Sequence, residues 1–89
     1  MIERELLVAN KLGLHARATA KLVQVLLGFR SNATLVAKGR EVNAKSIMGV
    51  MLLAAGPGTT VVLRLDGEDE QAAAEAATAL FERGFDEGS

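Results

Sequence analysis

Residues 2–27 read IERELLVANKLGLHARATAKLVQVLL, and two periodicities meet within them. Over residues 2–9, Ile2, Leu6 and Val8 fall on one side and Glu3 and Glu5 on the other. Alternation of this kind marks a strand with one wet face. From Ala16 to Leu27 the period lengthens. Ala16, Ala20, Val23 and Leu27 form one stripe, widened by Leu22 and Leu26, with Arg17, Lys21 and Gln24 opposite. That spacing predicts an amphipathic helix. Asn10 to Gly13 reads as the loop between the two, and Gly28 stands where a left-handed helix cap is expected. His15, the only histidine in the chain, lies at the mouth of the helix.

Beyond the helix, Ala33, Leu35 and Ala37 alternate with Thr34 and Val36, which predicts a second strand. Lys38-Gly39 is a tight-turn pair leading to a short return strand at Arg40–Asn43. Ser46 stands at the N-cap position of the apolar segment IMGVMLLAA, which Gly56-Pro57-Gly58 ends. In TVVLRL, residues 60–65, Val61, Leu63 and Leu65 are in phase, and Asp66-Gly67 turns the chain. A final helix has Glu68, Asp69 and Glu70 at its positive end and Arg83 at its negative end. Gly84 stops it, and Ala73, Ala76, Ala77 and Leu80 form its inward stripe. Phe85 is expected to fold back over that end, and residues 86–89 to fray. The order is strand, helix, strand, strand, helix, strand, helix. It calls for an α+β fold with the helices on one face of an antiparallel or mixed sheet.

The 89 residues suit one domain spanning 1–89. A domain of this size buries roughly 60% of its unfolded surface. Its three aromatic residues, Phe29, Phe81 and Phe85, leave the core to aliphatic side chains. The chain has no cysteine, which excludes disulfides, thiolate metal sites and cysteine nucleophiles. No second His or Cys accompanies His15, so no metal site and no cofactor are expected. The N-terminal segment lacks the apolar core of a signal peptide, and the apolar run at IMGVMLLAAG is about half a membrane span. The expectation is a soluble cytoplasmic protein without membrane contact. Residues 1–45 hold 8 Lys/Arg against 3 Asp/Glu, and residues 46–89 hold 2 against 8. The half with His15 therefore carries a positive field that favours an anion or an acidic partner, unless the division is only one of solvated faces. Aromatic residues for base stacking are scarce and no basic cluster stands out, so nucleic acid is not an expected partner.

A histidine at a helix N-terminus faces unsatisfied backbone N–H groups and a partial positive charge. That field disfavours protonation and so favours the nucleophilic, neutral imidazole. The same N–H groups can bind phosphate. Arg17 can neutralise phosphate oxygens with its guanidinium, and Gly13 allows close approach of the loop. A plain loop or cap residue with no chemistry is the competing reading of His15.

The run Asn10-Lys11-Leu12-Gly13-Leu14-His15-Ala16-Arg17 resembles the active-site signature of the HPr phosphocarrier family. Lys45-Ser46-Ile47-Met48-Gly49-Val50-Met51 resembles the family's second signature, around its regulatory serine. Length, spacing and element order agree as well. The resemblance implies a βαββαβα open-faced β-sandwich, with a four-stranded antiparallel sheet covered on one face by three helices. It implies that His15 accepts a phosphoryl group from enzyme I of the phosphoenolpyruvate-dependent phosphotransferase system and passes it to an enzyme IIA histidine. Such a protein is a carrier, not an enzyme. Arg17 would neutralise the phosphate, and the backbone of Ala16 and Arg17 would bind it. The family phosphorylates Nδ1; the residues alone do not say which nitrogen reacts. Ala18 stands where the family usually has proline, a change the first helical turn accommodates. It leaves the branch, sugar transport or nitrogen regulation, open.

Ser46 has a capping role available, and the resemblance adds regulatory phosphorylation by an HPr kinase/phosphorylase. Both can hold at once. The segment after it has apolar residues all round, more than one small sheet can cover, so some must face solvent. The family docks its partners on this helix and the first. The expected surface takes Ala16, Ala20, Ile47, Met48 and Met51 for apolar contact, with Arg17, Lys21, Gln24 and Lys45 around them. A monomer is expected, because a transient carrier needs an open docking face. The alternative is a regulatory binding module of the same fold, working by docking or through Ser46 without relay.

Overall fold

A computed structural model describes residues 1–87 of the chain. The elements are β1 (Ile2–Leu7), α1 (Ala16–Leu27), β2 (Asn32–Ala37), β3 (Arg40–Asn43), α2 (Ile47–Leu52), β4 (Thr60–Asp66) and α3 (Glu70–Glu82), followed by a 3-10 turn at Gly84–Asp86. The four strands form one antiparallel sheet in the order β1-β4-β2-β3. The last strand in the sequence thus enters between the first two. Its register sets Leu6 opposite Val61 on one side and Leu35 opposite Leu63 on the other.

Alternation decides the two faces. Leu6, Ala33, Leu35, Ala37, Val61, Leu63 and Leu65 point inward and are buried beneath the helices. The other face is polar and wet. There Arg64 reaches Glu3 at 2.7 Å and Glu41 at 3.3 Å, joining β1, β4 and β3. The β2–β3 hairpin turns at Lys38 (φ 54) and Gly39 (φ 75), the paired positive φ of a two-residue turn matched to strand twist. Val8 lies beyond the β1 ladder but stays tied, through its N–H to Thr59 O at 2.9 Å and its carbonyl from Gly58 N at 2.7 Å. Among the described residues no helix is long and apolar enough to cross a membrane.

Four expectations need correction. The buried face of α1 is Ala18, Thr19, Leu22, Val23 and Leu26; Ala16 and Leu27 are exposed and Ala20 is half-buried. The helix is turned away from the predicted stripe. Alanines lie on both sides of it, so apolar spacing alone does not choose between them. Thr19 faces inward because its hydroxyl donates to Leu14 O at 3.1 Å, which satisfies its polar atom in the interior. Leu22 and Leu26, fully buried, each contribute roughly 1.5–3 kcal/mol.

Gly28 is right-handed (φ −74, ψ −4) and not a left-handed cap. The helix ends instead by tightening, with Gly28 N–H bonding Val25 O at 3.1 Å. Phe85 folds back as expected, but the tail stays attached beyond it, at Asp86 and Glu87. Phe85 is fully buried, edge-on to Phe81 with ring centroids 4.8 Å apart. Asp86 pairs with Arg83 at 2.8 Å, and Glu87 is held within the protein. Only residues 88–89 of the stretch predicted to fray lie outside the described residues. The inward face of α3 is Ala73, Ala74, Ala77, Leu80 and Phe81, with Ala76 half-buried.

Candidate functional site

The loop from Asn10 to Leu14 sets His15 by local hydrogen bonding. Gly13 adopts φ +68, and a Cβ there would lie 2.6 Å from Ala55 O and 2.8 Å from Gly56 Cα. Glycine is therefore required for the loop to pass this close to the chain after α2. Leu14 N–H donates to Ala55 O at 2.9 Å, which locks that approach. The Asn10 side-chain amide donates to Gly13 O at 2.7 Å and closes the loop on itself.

His15 is the N-cap of α1, with extended backbone (φ −76, ψ −179). Its Nδ1 accepts from Arg17 N–H at 3.3 Å, and its carbonyl accepts from Thr19 N–H at 2.9 Å. The imidazole thus takes the place a Ser or Asp side chain usually fills at a helix start. An Nδ1 that accepts a hydrogen bond carries no proton, so in the neutral ring the proton resides on Nε2. The Nε2 faces Glu87, whose carboxylate oxygen Oε2 is its hydrogen-bonding partner. The other Glu87 oxygen accepts from the Asn10 amide at 2.8 Å. Asn10 therefore spends both N–H donors, on Gly13 and on Glu87. Its Oδ1 is buried with no hydrogen-bond partner among the described residues, at a cost of about 1–3 kcal/mol.

Asn10 and Glu87 are the two residues that sequence reasoning missed at this site. Glu87 lies 72 residues from His15 and 77 from Asn10, beyond any motif spacing. Its only sequence cue is an acidic side chain on a tail whose Phe85 is apolar enough to dock. The Asn10 amide first, and His15 and Lys21 with it, hold the Glu87 carboxyl below the usual glutamate range against its desolvation. Three successive residues, Gly84, Phe85 and Asp86, have positive φ (62, 58 and 60) and bend the tail back toward α1. For the two non-glycine residues this conformation costs roughly 1–2 kcal/mol each. Burial of Phe85 offsets that cost.

Around the imidazole is an open cleft lined by Lys11, Leu12, Ala16, Arg17, Lys21 and Glu87. The His15 side chain is 28% exposed. Arg17 points to solvent, and its guanidinium makes no hydrogen bond or ion pair among the described residues. From the cleft wall it can meet an incoming anion. Lys21 and Lys45 are less free than the sequence suggests. The Lys21 ammonium donates to Phe85 O at 2.7 Å, and that of Lys45 to Phe29 O at 2.8 Å.

Ser46 is the N-cap of α2, and its Oγ accepts from Gly49 N–H at 3.1 Å. Within and after that helix Val50 and Leu53 are buried, while Ile47, Met48, Met51 and Leu52 are exposed, Met48 by 79%. The helix turns one face to the core and leaves an apolar face outside. On α1, Ala16 and Gln24 are exposed and Ala20 half-buried. The side chains predicted for docking are thus solvent-accessible in whole or in part.

A family model described as the PTS HPr component phosphorylation site matches residues 2–83. A phosphocarrier protein HPr of Xylella fastidiosa is 67% identical over 87 residues, covering 98% of each chain. One of Cupriavidus necator is 54% identical over 88 residues, covering 99% of each. Among solved structures, an HPr of Thermoanaerobacter tengcongensis superposes with a TM-score of 0.96 at 40% identity and covers 100% of both chains. Its βαββαβα open sandwich is the architecture described above. With the family model matched over nearly the whole length and named relatives this similar, the chain belongs to the HPr family, the phosphocarriers of the phosphotransferase system.

Proposed function

We propose that His15 is the phosphoryl acceptor, that it receives the group from enzyme I, and that it delivers it to a histidine of an enzyme IIA domain. The observation that carries this reading is the state of Nδ1. It holds a lone pair at the N-terminus of a twelve-residue helix, at the edge of an open cleft, beside a guanidinium with no partner among the described residues. A phosphoryl group on Nδ1 would lie against the first N–H groups of α1, those of Ala16 and Arg17, where anions are favoured. The Arg17 fork would neutralise its oxygens. Transfer of this kind asks for positioning and charge compensation more than for covalent machinery. The protein is then a carrier that presents one nucleophile, and the partner supplies most of the catalytic site.

The same reading makes the domain, residues 1–89, a cytoplasmic monomer that docks through the exposed apolar face of α2 and the outer side of α1. Ala16, Ala20, Ile47, Met48 and Met51 would give apolar contact, and Arg17, Lys21, Gln24 and Lys45 the polar rim. Ser46 would be a regulatory phosphorylation site for an HPr kinase/phosphorylase. A phosphate there suits a helix N-terminus and adds negative charge beside the docking face. The test is incubation with enzyme I and phosphoenolpyruvate. An acid-labile phosphoryl group on the wild type and none on His15→Ala supports the relay. An unlabelled wild type refutes it and leaves a docking module without transfer.

A further inference from the structure

The contact between Glu87 and His15 is not used by the proposal above, which needs only Nδ1, the helix amides and Arg17. We infer that Glu87 is a positioning residue for phosphoryl transfer: its carboxylate holds the His15 proton on Nε2 and compensates the positive charge the ring gains when Nδ1 bonds to phosphorus. This inference rests on the reading of His15 as the acceptor.

Four observations support it. The carboxylate meets Nε2, the nitrogen on the far side of Cε1 from Nδ1, so it leaves the phosphoryl position open. Its second oxygen is fixed by an Asn10 amide whose orientation is forced, because both neighbours of that nitrogen are acceptors. The carboxyl is held toward its ionised form by Asn10, then His15 and Lys21. The tail that carries it reaches the site through three consecutive positive-φ residues, a costly path that burial of Phe85 and the Lys21 contact to Phe85 O sustain.

The chemistry balances without a further reactant. The Nδ1 lone pair attacks phosphorus of the donor phosphohistidine, and the donor P–N bond breaks with its electron pair returning to the donor ring. The Nε2 proton stays on His15, whose ring becomes cationic in character and is stabilised by the carboxylate. On delivery the Nδ1–P bond breaks, its pair returns to Nδ1, and the same Nε2–H tautomer is restored. A carboxylate that orients an imidazole through its second nitrogen is a recurring device for setting tautomer and ring direction.

The experiment compares wild type, Glu87→Ala, Glu87→Gln and Glu87→Asp, each with a ¹⁵N-labelled His15 side chain. In alkaline buffer, where the ring is neutral, the wild type is expected to show a protonated Nε2 and a bare Nδ1. Glu87→Ala is expected to show a mixture of tautomers. In transfer from enzyme I, Glu87→Ala and Glu87→Gln are expected to lose about tenfold in kcat with KM changed less than about twofold, from loss of one charge-assisted hydrogen bond. Glu87→Asp should recover part of the loss. Unchanged tautomer and rate in Glu87→Ala would overturn the inference while a labelled wild type keeps the relay standing. Faster transfer in Glu87→Ala would also overturn it, by making the tail a plug. The tautomer measurement needs no enzyme I, so it stands apart from any failure of His15 to accept phosphate.

Discussion

The Lys21 ammonium donates to the carbonyl oxygen of Phe85 at 2.7 Å, so the helix that His15 caps and the tail that carries Glu87 are tied together directly. The tie explains why the tail beyond α3 is part of the site. Phe85 anchors it in the core, Lys21 fixes its backbone, and Glu87 falls beside the ring.

His15 caps α1 and is the proposed phosphoryl acceptor, and one substitution separates the two roles. Asparagine is among the strongest N-cap residues, so His15→Asn retains a hydrogen bond to the start of α1. Its unfolding free energy, read by urea denaturation, is expected to stay within about 0.5 kcal/mol of wild type. Phosphoryl labelling by enzyme I is expected to vanish. Residual labelling would place the acceptor elsewhere.

Gly13→Ala tests the loop. The new methyl group meets Ala55 O at 2.6 Å on a backbone held at φ +68, and neither atom is a flexible side-chain end. The expected cost is about 2 kcal/mol or more. Because the same loop places His15, the folded fraction should also transfer phosphate more slowly. Thermal melts give the first quantity, and transfer rates at a temperature well below the melt give the second.

Asp69 makes stability depend on acid. Its carboxylate accepts from Ser31 Oγ at 2.5 Å, Arg30 N–H at 2.8 Å and Ser31 N–H at 3.0 Å, joining the start of α3 to the loop before β2. The Ser31 hydroxyl first, then the Arg30 amide, lower its pKa from 3.8 to about 2. The folded value lies below the unfolded one, so the stabilisation is complete above the unfolded value and is lost as pH falls through about 2. The advantage of wild type over Asp69→Asn in urea is therefore expected to be largest near neutrality and to shrink across that acid window. A pH-independent difference would contradict it.

Met48 tests the docking face. It is 79% exposed on α2, so Met48→Glu is expected to leave the melting temperature nearly unchanged. It places an apolar-to-anionic change at the centre of the proposed contact, and enzyme I affinity should fall at least tenfold by titration calorimetry. Unchanged affinity would move the docking surface elsewhere.

Much of this was legible along the chain because it is local. Lys38-Gly39 specifies its hairpin through backbone conformation, and Ser46 specifies the start of α2 through one hydrogen bond to Gly49 N–H. The strand at 60–65 was readable from alternation, and in the fold it runs one residue further, to Asp66. The run from Asn10 to Arg17 places the imidazole at a helix mouth by local spacing alone. The side of α1 that faces inward was not legible. Ala16 and Ala18 are chemically alike, and only the packing of α2, α3 and the sheet decides which is covered.

By itself, then, the sequence determined the order of elements, the Ser46 cap and the Lys38-Gly39 turn, the lone histidine at a helix start and the family it resembles. All of these rest on residues within a few positions of one another. Tertiary structure alone decided the strand order β1-β4-β2-β3, the rotation of α1 and the meeting of Glu87 with His15 across 72 residues. Such contacts depend on how separately formed elements bury their apolar faces together, and no spacing along the chain encodes them.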